Sequence, residues 1–142
     1  MSEFKHVLVA VDGSDISLKA VEIASRLAKH EGAELTALHV VPKPPFEYSG
    51  DAAAYYDEAR RIAKKWMPGV QKAAALYGMG VRTEVLVDVS SVVEAIIAYA
   101  EANHIDLIVT GTRGRTPSRR MLVGSVANGL ISYASCHVLV VR

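Results

Sequence analysis

The chain has 142 residues, of which 51% are hydrophobic and 22% charged, with a formal net charge of +1. This length and balance suit one globular domain and exclude a disordered chain, and the near-neutral charge gives no reason to expect nucleic-acid or membrane-surface binding. The single cysteine, Cys136, excludes an intramolecular disulfide, and the longest apolar runs of five or six residues fall far short of a membrane span. With no signal-peptide pattern at Met1 to His6, the expected location is the cytoplasm.

Short apolar runs alternate with helical periodicity along the chain. Val7 to Val11 is a continuous, mostly β-branched run, as in a strand covered on both faces. Asp12-Gly13-Ser14-Asp15 reads as a turn and helix cap, followed by Ala20, Ile23, Ala24, Leu27 and Ala28 at helical spacing and a stop at Gly32. Leu35 to Val41 predicts the second strand, and Lys43 to Gly50, with Pro44 and Pro45, a loop. A long helical stripe from Ala59 to Tyr77 carries Trp66 and Tyr77 on its apolar side, with a kink or break expected at Pro68.

Val81, Thr83, Val85 and Val87 alternate with polar residues, which predicts a strand at a sheet edge or on a partly exposed face. Ser90 or Ser91 starts a helix with Val93, Ile96, Ile97 and Ala100 inward. Leu107 to Thr110 is the fourth strand, Gly111 to Val123 a loop rich in glycine and arginine, and Gly124-Ser125 the start of a last helix with Val126, Leu130 and Ala134 inward. Val138 to Val141 ends the chain. The order β-α-β-α-β-α-β-α-β predicts a doubly wound parallel sheet with helices on both faces, over a single domain spanning 1–142. The last strand is uniformly apolar and no later element covers it, so pairing with the same strand of a second copy, a two-fold homodimer, is expected.

Open parallel sheets hold ligands at the carboxyl ends of their strands, where the winding reverses. Asp12 follows the first strand, and Gly111-Thr112-Arg113-Gly114 follows the fourth. Gly111 and Gly114 are able to adopt positive φ and let backbone approach a ligand. Gly124-Ser125 at a helix start offers N–H groups, a hydroxyl and the positive end of the helix dipole. With Arg113, Arg115, Arg119 and Arg120 between them, these features suit an anion, phosphate above all; the same features also suit a plain solvated surface loop. Asp12 would bond sugar hydroxyls or a metal ion carried by phosphates, or simply cap the helix. Neither Gly-x-x-x-x-Gly-Lys-[Ser/Thr] nor a Gly-x-Gly-x-x-Gly after the first strand is present. The five histidines show no metal-ligand spacing, and Cys136 reads as a packed thiol.

Gly111, two residues, Gly114, nine residues and Gly124-Ser125 together resemble the Gly-2x-Gly-9x-Gly-[Ser/Thr] signature of ATP-binding universal stress proteins. The opening Val7 to Ser14, Leu38-His39-Val40-Val41, Asp106 to Gly114 and the final Val138 to Arg142 are similar to that family's corresponding segments, so the resemblance spans the chain. It implies a five-stranded sheet in the order 3-2-1-4-5 and a homodimer through the last strand. It also implies ATP as the ligand, with Mg²⁺ or Mn²⁺ alongside. Asp12 would contact the adenosine part and the backbone at Val40 the adenine, with Ala10 and Thr110 lining the same cleft. Gly111, Arg113, Gly114, Gly124, Ser125 and Val126 would surround ribose and phosphates. The implied role is an ATP-binding stress-response regulator, read by a protein partner the sequence does not name, rather than an enzyme. The alternative is a slow ATPase or a nucleotidyl or phosphoryl transferase using the same site, with Asp12 on the metal and the arginines on transferring phosphate. Cys136-His137 departs from the family, which commonly has proline before the last strand.

Overall fold

The computed structural model describes residues 3–45, 48–113 and 124–142. Five strands, β1 (His6–Ala10), β2 (Glu34–Pro42), β3 (Arg82–Val89), β4 (Leu107–Gly111) and β5 (His137–Val141), alternate with four helices, α1 (Asp15–Glu31), α2 (Ala52–Ala75), α3 (Val92–Ala102) and α4 (Ser125–Tyr133). All strand pairs are parallel, and the order is β3-β2-β1-β4-β5. The fold is thus the doubly wound α/β sheet expected from the sequence, in the order 3-2-1-4-5.

The two-residue period of the strands builds two cores. Val7 and Val9 of β1 with Leu35 and Ala37 of β2 pack under α1 and α2 on one face. Leu8, Leu38, Val40 and Ile108 pack under α3 and α4 on the other. Leu8, Val9, Ile108 and Val109 are fully buried, as central strands require. β3, whose alternation marked it as an edge, is half-buried along most of its length and pairs only with β2.

Local chemistry sets the helix boundaries. The Ser14 hydroxyl accepts from the Ser17 amide, Asp51 from Ala53, and Ser91 from Glu94, so α1, α2 and α3 each start under a side-chain cap. Gly32 ends α1 at φ 69°, its amide donating back to the last turn. Only α4 has no side-chain cap among the four.

Three expectations change. Helix α2 starts earlier than its apolar stripe, at Ala52, because Asp51 caps three alanines in succession. It runs unbroken through Pro68. Pro68 lies on the exposed side together with Lys64, whose carbonyl loses its helical donor, while Met67 and Val70 hold the opposite side in the core. Tyr77 is exposed rather than packed, since it lies in the turn beyond the helix end.

Candidate functional site

β1 pairs with β2 on one side and β4 on the other, so the chain winds away from β1 in both directions. A cavity of about 360 Å³ opens there, at the carboxyl ends of the strands. The size falls within the range of small-molecule sites. β1 supplies Ala10, and Val11 and Asp12 follow it; β2 supplies Leu38, His39 and Val40; β4 supplies Thr110 and Gly111. Val92 and Ile96 of α3 form an apolar wall, and Gly124, Ser125, Val126 and Ala127 close the cavity at the start of α4.

The structure therefore brings together Ala10, Asp12, Val40, Thr110, Gly111, Arg113, Gly124, Ser125 and Val126, nine positions from four separate parts of the sequence. Gly114 and the arginines at 115, 119 and 120 lie outside the described residues.

The turn after β1 is braced from within. The Asp12 carboxylate accepts from the Ser14 amide at 2.9 Å, and the Asp12 amide donates to the Ser17 hydroxyl at 3.3 Å. Ser17 Oγ in turn donates to the Ser14 carbonyl at 3.0 Å. Asp12 therefore lines the cavity and holds the turn at once. Ser17 is buried, lines the cavity, and was not singled out in the sequence. Its signal is positional: it stands three residues after the cap Ser14, where a capping box places its second polar residue.

His39 is the other residue the sequence left as structural. It is half-buried on the cavity wall, and its Nδ1 carries the proton, donating to the Val11 carbonyl at 2.8 Å. Thr112 is buried beside the cavity, and its amide donates to Val141 at 2.7 Å, tying the start of the glycine-rich loop to β5.

The glycines behave differently from the simplest expectation. Gly111 continues β4, and among the described glycines positive φ occurs only at Gly13, Gly32 and Gly78. A Cβ at Gly111 would lie 3.2 Å from Ile16 of α1 and 3.3 Å from the Arg113 carbonyl, so glycine there permits a close helix approach and a tight exit from the strand. At Gly124 the amide donates to the Thr112 carbonyl, so it is not one of the donors turned toward a ligand. Among the described residues no side chain caps α4, and Ser125, Val126 and Ala127, its first turn, bound the cavity. They place the positive end of the α4 dipole at its edge.

An apolar wall, a carboxylate and the start of α4 thus share one cavity, and the sequence comparison spans all of them. The profile of the universal stress protein family matches residues 3–142. The chain belongs to the universal stress protein family. Universal stress protein MJ0531 of Methanocaldococcus jannaschii is 36% identical over 142 residues, covering 98% of this chain and 82% of that protein. Universal stress protein UspA from Lactobacillus plantarum superimposes with a TM-score of 0.88 at 29% identity over the full length of both chains. A universal stress protein solved in complex with cAMP gives a TM-score of 0.77 at 28% identity, covering 99% of each chain. Among the described residues, no helix of this family member is long and apolar enough to cross a membrane.

Proposed function

We propose that this universal stress protein binds an adenine nucleotide in the cavity at the ends of β1 and β4, and that ATP is its ligand. The observation that carries this reading is the division of the cavity's lining. Leu38, Val40, Val92 and Ile96 offer an apolar slot of the kind a purine ring fills, while Asp12, Thr110, Arg113 and Ser125 gather at its polar side. Asp12 faces sugar hydroxyls, and the uncapped first turn of α4 with Arg113 receives phosphate, the anion that a helix start favours. The family relative in complex with cAMP supports an adenine-bearing ligand. The donor set fits the group: the polar side carries both a carboxylate, suited to a divalent cation such as Mg²⁺ or Mn²⁺, and a guanidinium suited to the phosphates. The spacing of Gly111, Gly114 and Gly124-Ser125 extends the phosphate site into the loop.

Under this proposal the protein is a nucleotide-loaded regulator, and the second copy joins through β5. Support for the dimer comes from the edge position of β5 and from Ile131 and Tyr133 of the neighbouring α4, which are 55% and 76% exposed. Sedimentation at micromolar protein tests it: a dimer that Tyr133→Asp converts to monomer supports β5 and α4 as the seam, and a wild-type monomer removes it. For the ligand, the protein is purified without added nucleotide and denatured, and the released small molecules are identified by chromatography and mass. Release of an adenine nucleotide supports the proposal; a protein that carries none and takes up none from a nucleotide mixture overturns it.

A further inference from the structure

Trp66 is the chain's one tryptophan and lies on α2, behind the cavity rather than in its lining. Its ring meets His39 edge to face, with centroids 4.9 Å apart and planes at 84°. His39 in turn is hydrogen-bonded to the Val11 carbonyl. On the other side of Asp12, the backbone of Gly13 runs directly against the indole. A Cβ on Gly13 would lie 2.8 Å from Trp66 Nε1 and 2.9 Å from Cδ1 and Cε2. Gly13 also sits at φ 84°, where side chains are disfavoured. The residue before Asp12 and the residue after it are thus both set by one indole ring, the first through His39 and the second by direct contact.

The indole also packs against the core under α1 and α2. Its Nε1 is buried and has no hydrogen-bond partner among the described residues, although buried tryptophans usually find one. Packing against the core, the Gly13 turn and His39 together keeps this donor in place without a polar partner. Asp12 is itself hydrogen-bonded to Ser14, so a shift of Gly13 moves the carboxylate and the start of α1 together.

We infer that Trp66 is a positioning residue for the nucleotide site: acting through Gly13 and His39, it fixes the Asp12 carboxylate from behind and couples α2 to nucleotide affinity. The inference rests on the nucleotide reading above and adds a regulatory route to it. A partner or modification that displaces α2 loosens the Asp12 turn without touching the ligand.

The experiment compares wild type, Trp66→Leu and Trp66→Phe. ATP with Mg²⁺ is titrated into each by calorimetry, backbone amide spectra are recorded without nucleotide, and the wild-type tryptophan emission is followed during the titration. Trp66→Leu is expected to weaken ATP binding by about tenfold, the scale of a misplaced charged hydrogen-bonding group. It is also expected to shift the Asp12 and Gly13 amides before any nucleotide is added. Trp66→Phe keeps a ring against His39 and Gly13 and recovers most of the affinity, and the wild-type emission changes with the same midpoint as the heat. Gly13→Ala serves as the second variant should Trp66→Leu not fold: its Cβ meets the indole, so it is expected to weaken ATP binding and shift the Trp66 indole N–H resonance, and folded Gly13→Ala with wild-type affinity overturns the inference. Folded Trp66→Leu with wild-type affinity, or with unmoved Asp12 and Gly13 amides, overturns the inference. Absence of ATP binding by the wild type overturns the nucleotide reading instead, and the amide shifts then decide the positioning role alone.

Discussion

The Thr112 carbonyl accepts a hydrogen bond from the Gly124 amide, so the first residue after β4 and the cap of α4 are joined directly. The two ends of the glycine-rich segment therefore meet next to the first turn of α4, and both line the cavity that Asp12 also lines. A Cβ on Gly124 would stand 3.1 Å from that same carbonyl and 3.5 Å from Arg113 Cα, both backbone atoms that cannot swing aside. The φ of −71° at Gly124 is open to any residue, so crowding alone opposes substitution. Gly124→Val is expected to lose about 1 to 3 kcal/mol of stability, in the range of overpacking, and to weaken nucleotide binding by more than tenfold because the α4 amides move with the cap. Chemical denaturation and calorimetry on the same sample check both numbers.

Helices α3 and α4 meet at Gly129, where an added Cβ would lie 2.7 Å from Val93 Cγ2 and 2.9 Å from its Cγ1. Gly129→Ala gains helix propensity on an α4 turn yet is expected to lose about 1 to 3 kcal/mol to this overlap. Val93→Ala removes the two methyls concerned. The double variant is expected to be more stable than the sum of the single changes by at least about 0.5 kcal/mol, the coupling that contact residues show. Strictly additive urea midpoints would mean that α3 and α4 separate freely at this point.

The cores and the turn chemistry were open to sequence reading because they rest on local rules. Alternation in Val81 to Val87 gave the exposed edge of β3, and Ser14, Ser91 and Gly32 gave the ends of their helices. The cavity was legible through the glycine spacing, the acidic turn and the family resemblance, and nine of the ten positions named from them line one opening. What escaped depends on contacts between distant elements. Nothing local tells that Trp66 rests on Gly13, 53 positions earlier by the numbering, or that His39 turns its Nδ1 to Val11. Nor does propensity foresee an unbroken α2 at Pro68, where buried Met67 and Val70 on the other side outweigh one lost backbone bond.

The rim of the sheet above β3 carries a pH-sensitive tie. Asp88 sits at φ 62° and accepts from Tyr56 Oη at 2.8 Å and from Lys43 Nζ at 3.1 Å, which joins α2 and the segment after β2 to β3. The Tyr56 hydrogen bond, then Lys43, holds its carboxyl below the usual range. The folded state thus binds the proton less readily than the unfolded one. The stabilisation is complete above the ordinary carboxylate pKa and is lost as pH falls through the lower folded value. Asp88→Asn suits the left-handed backbone but lacks the charge. It is expected to be less stable than wild type at neutral pH, with the difference shrinking from about pH 5 downward. Urea midpoints of the two proteins from pH 7 to the acid transition test this; parallel curves would place the tie elsewhere.

Binding to the folded state alone adds to its stability. At a free ATP concentration a hundredfold above the dissociation constant, wild type is expected to gain about 2.7 kcal/mol. Asp12→Ala loses the carboxylate at the cavity and its bond to Ser14, and is expected to gain much less at the same concentration. Denaturant titrations with and without ATP and Mg²⁺ provide the comparison, and equal gains in the two proteins would remove Asp12 from the site.

The most direct measurement is a calorimetric titration of ATP with Mg²⁺ into nucleotide-stripped wild type and into Gly114→Val, whose folding is checked beforehand by circular dichroism. The account predicts micromolar, one-to-one binding by wild type and its loss in the folded variant, because the substitution disrupts the glycine spacing proposed to carry the phosphates. No heat from wild type with ATP, and none with AMP or cAMP under the same conditions, would contradict the nucleotide site itself.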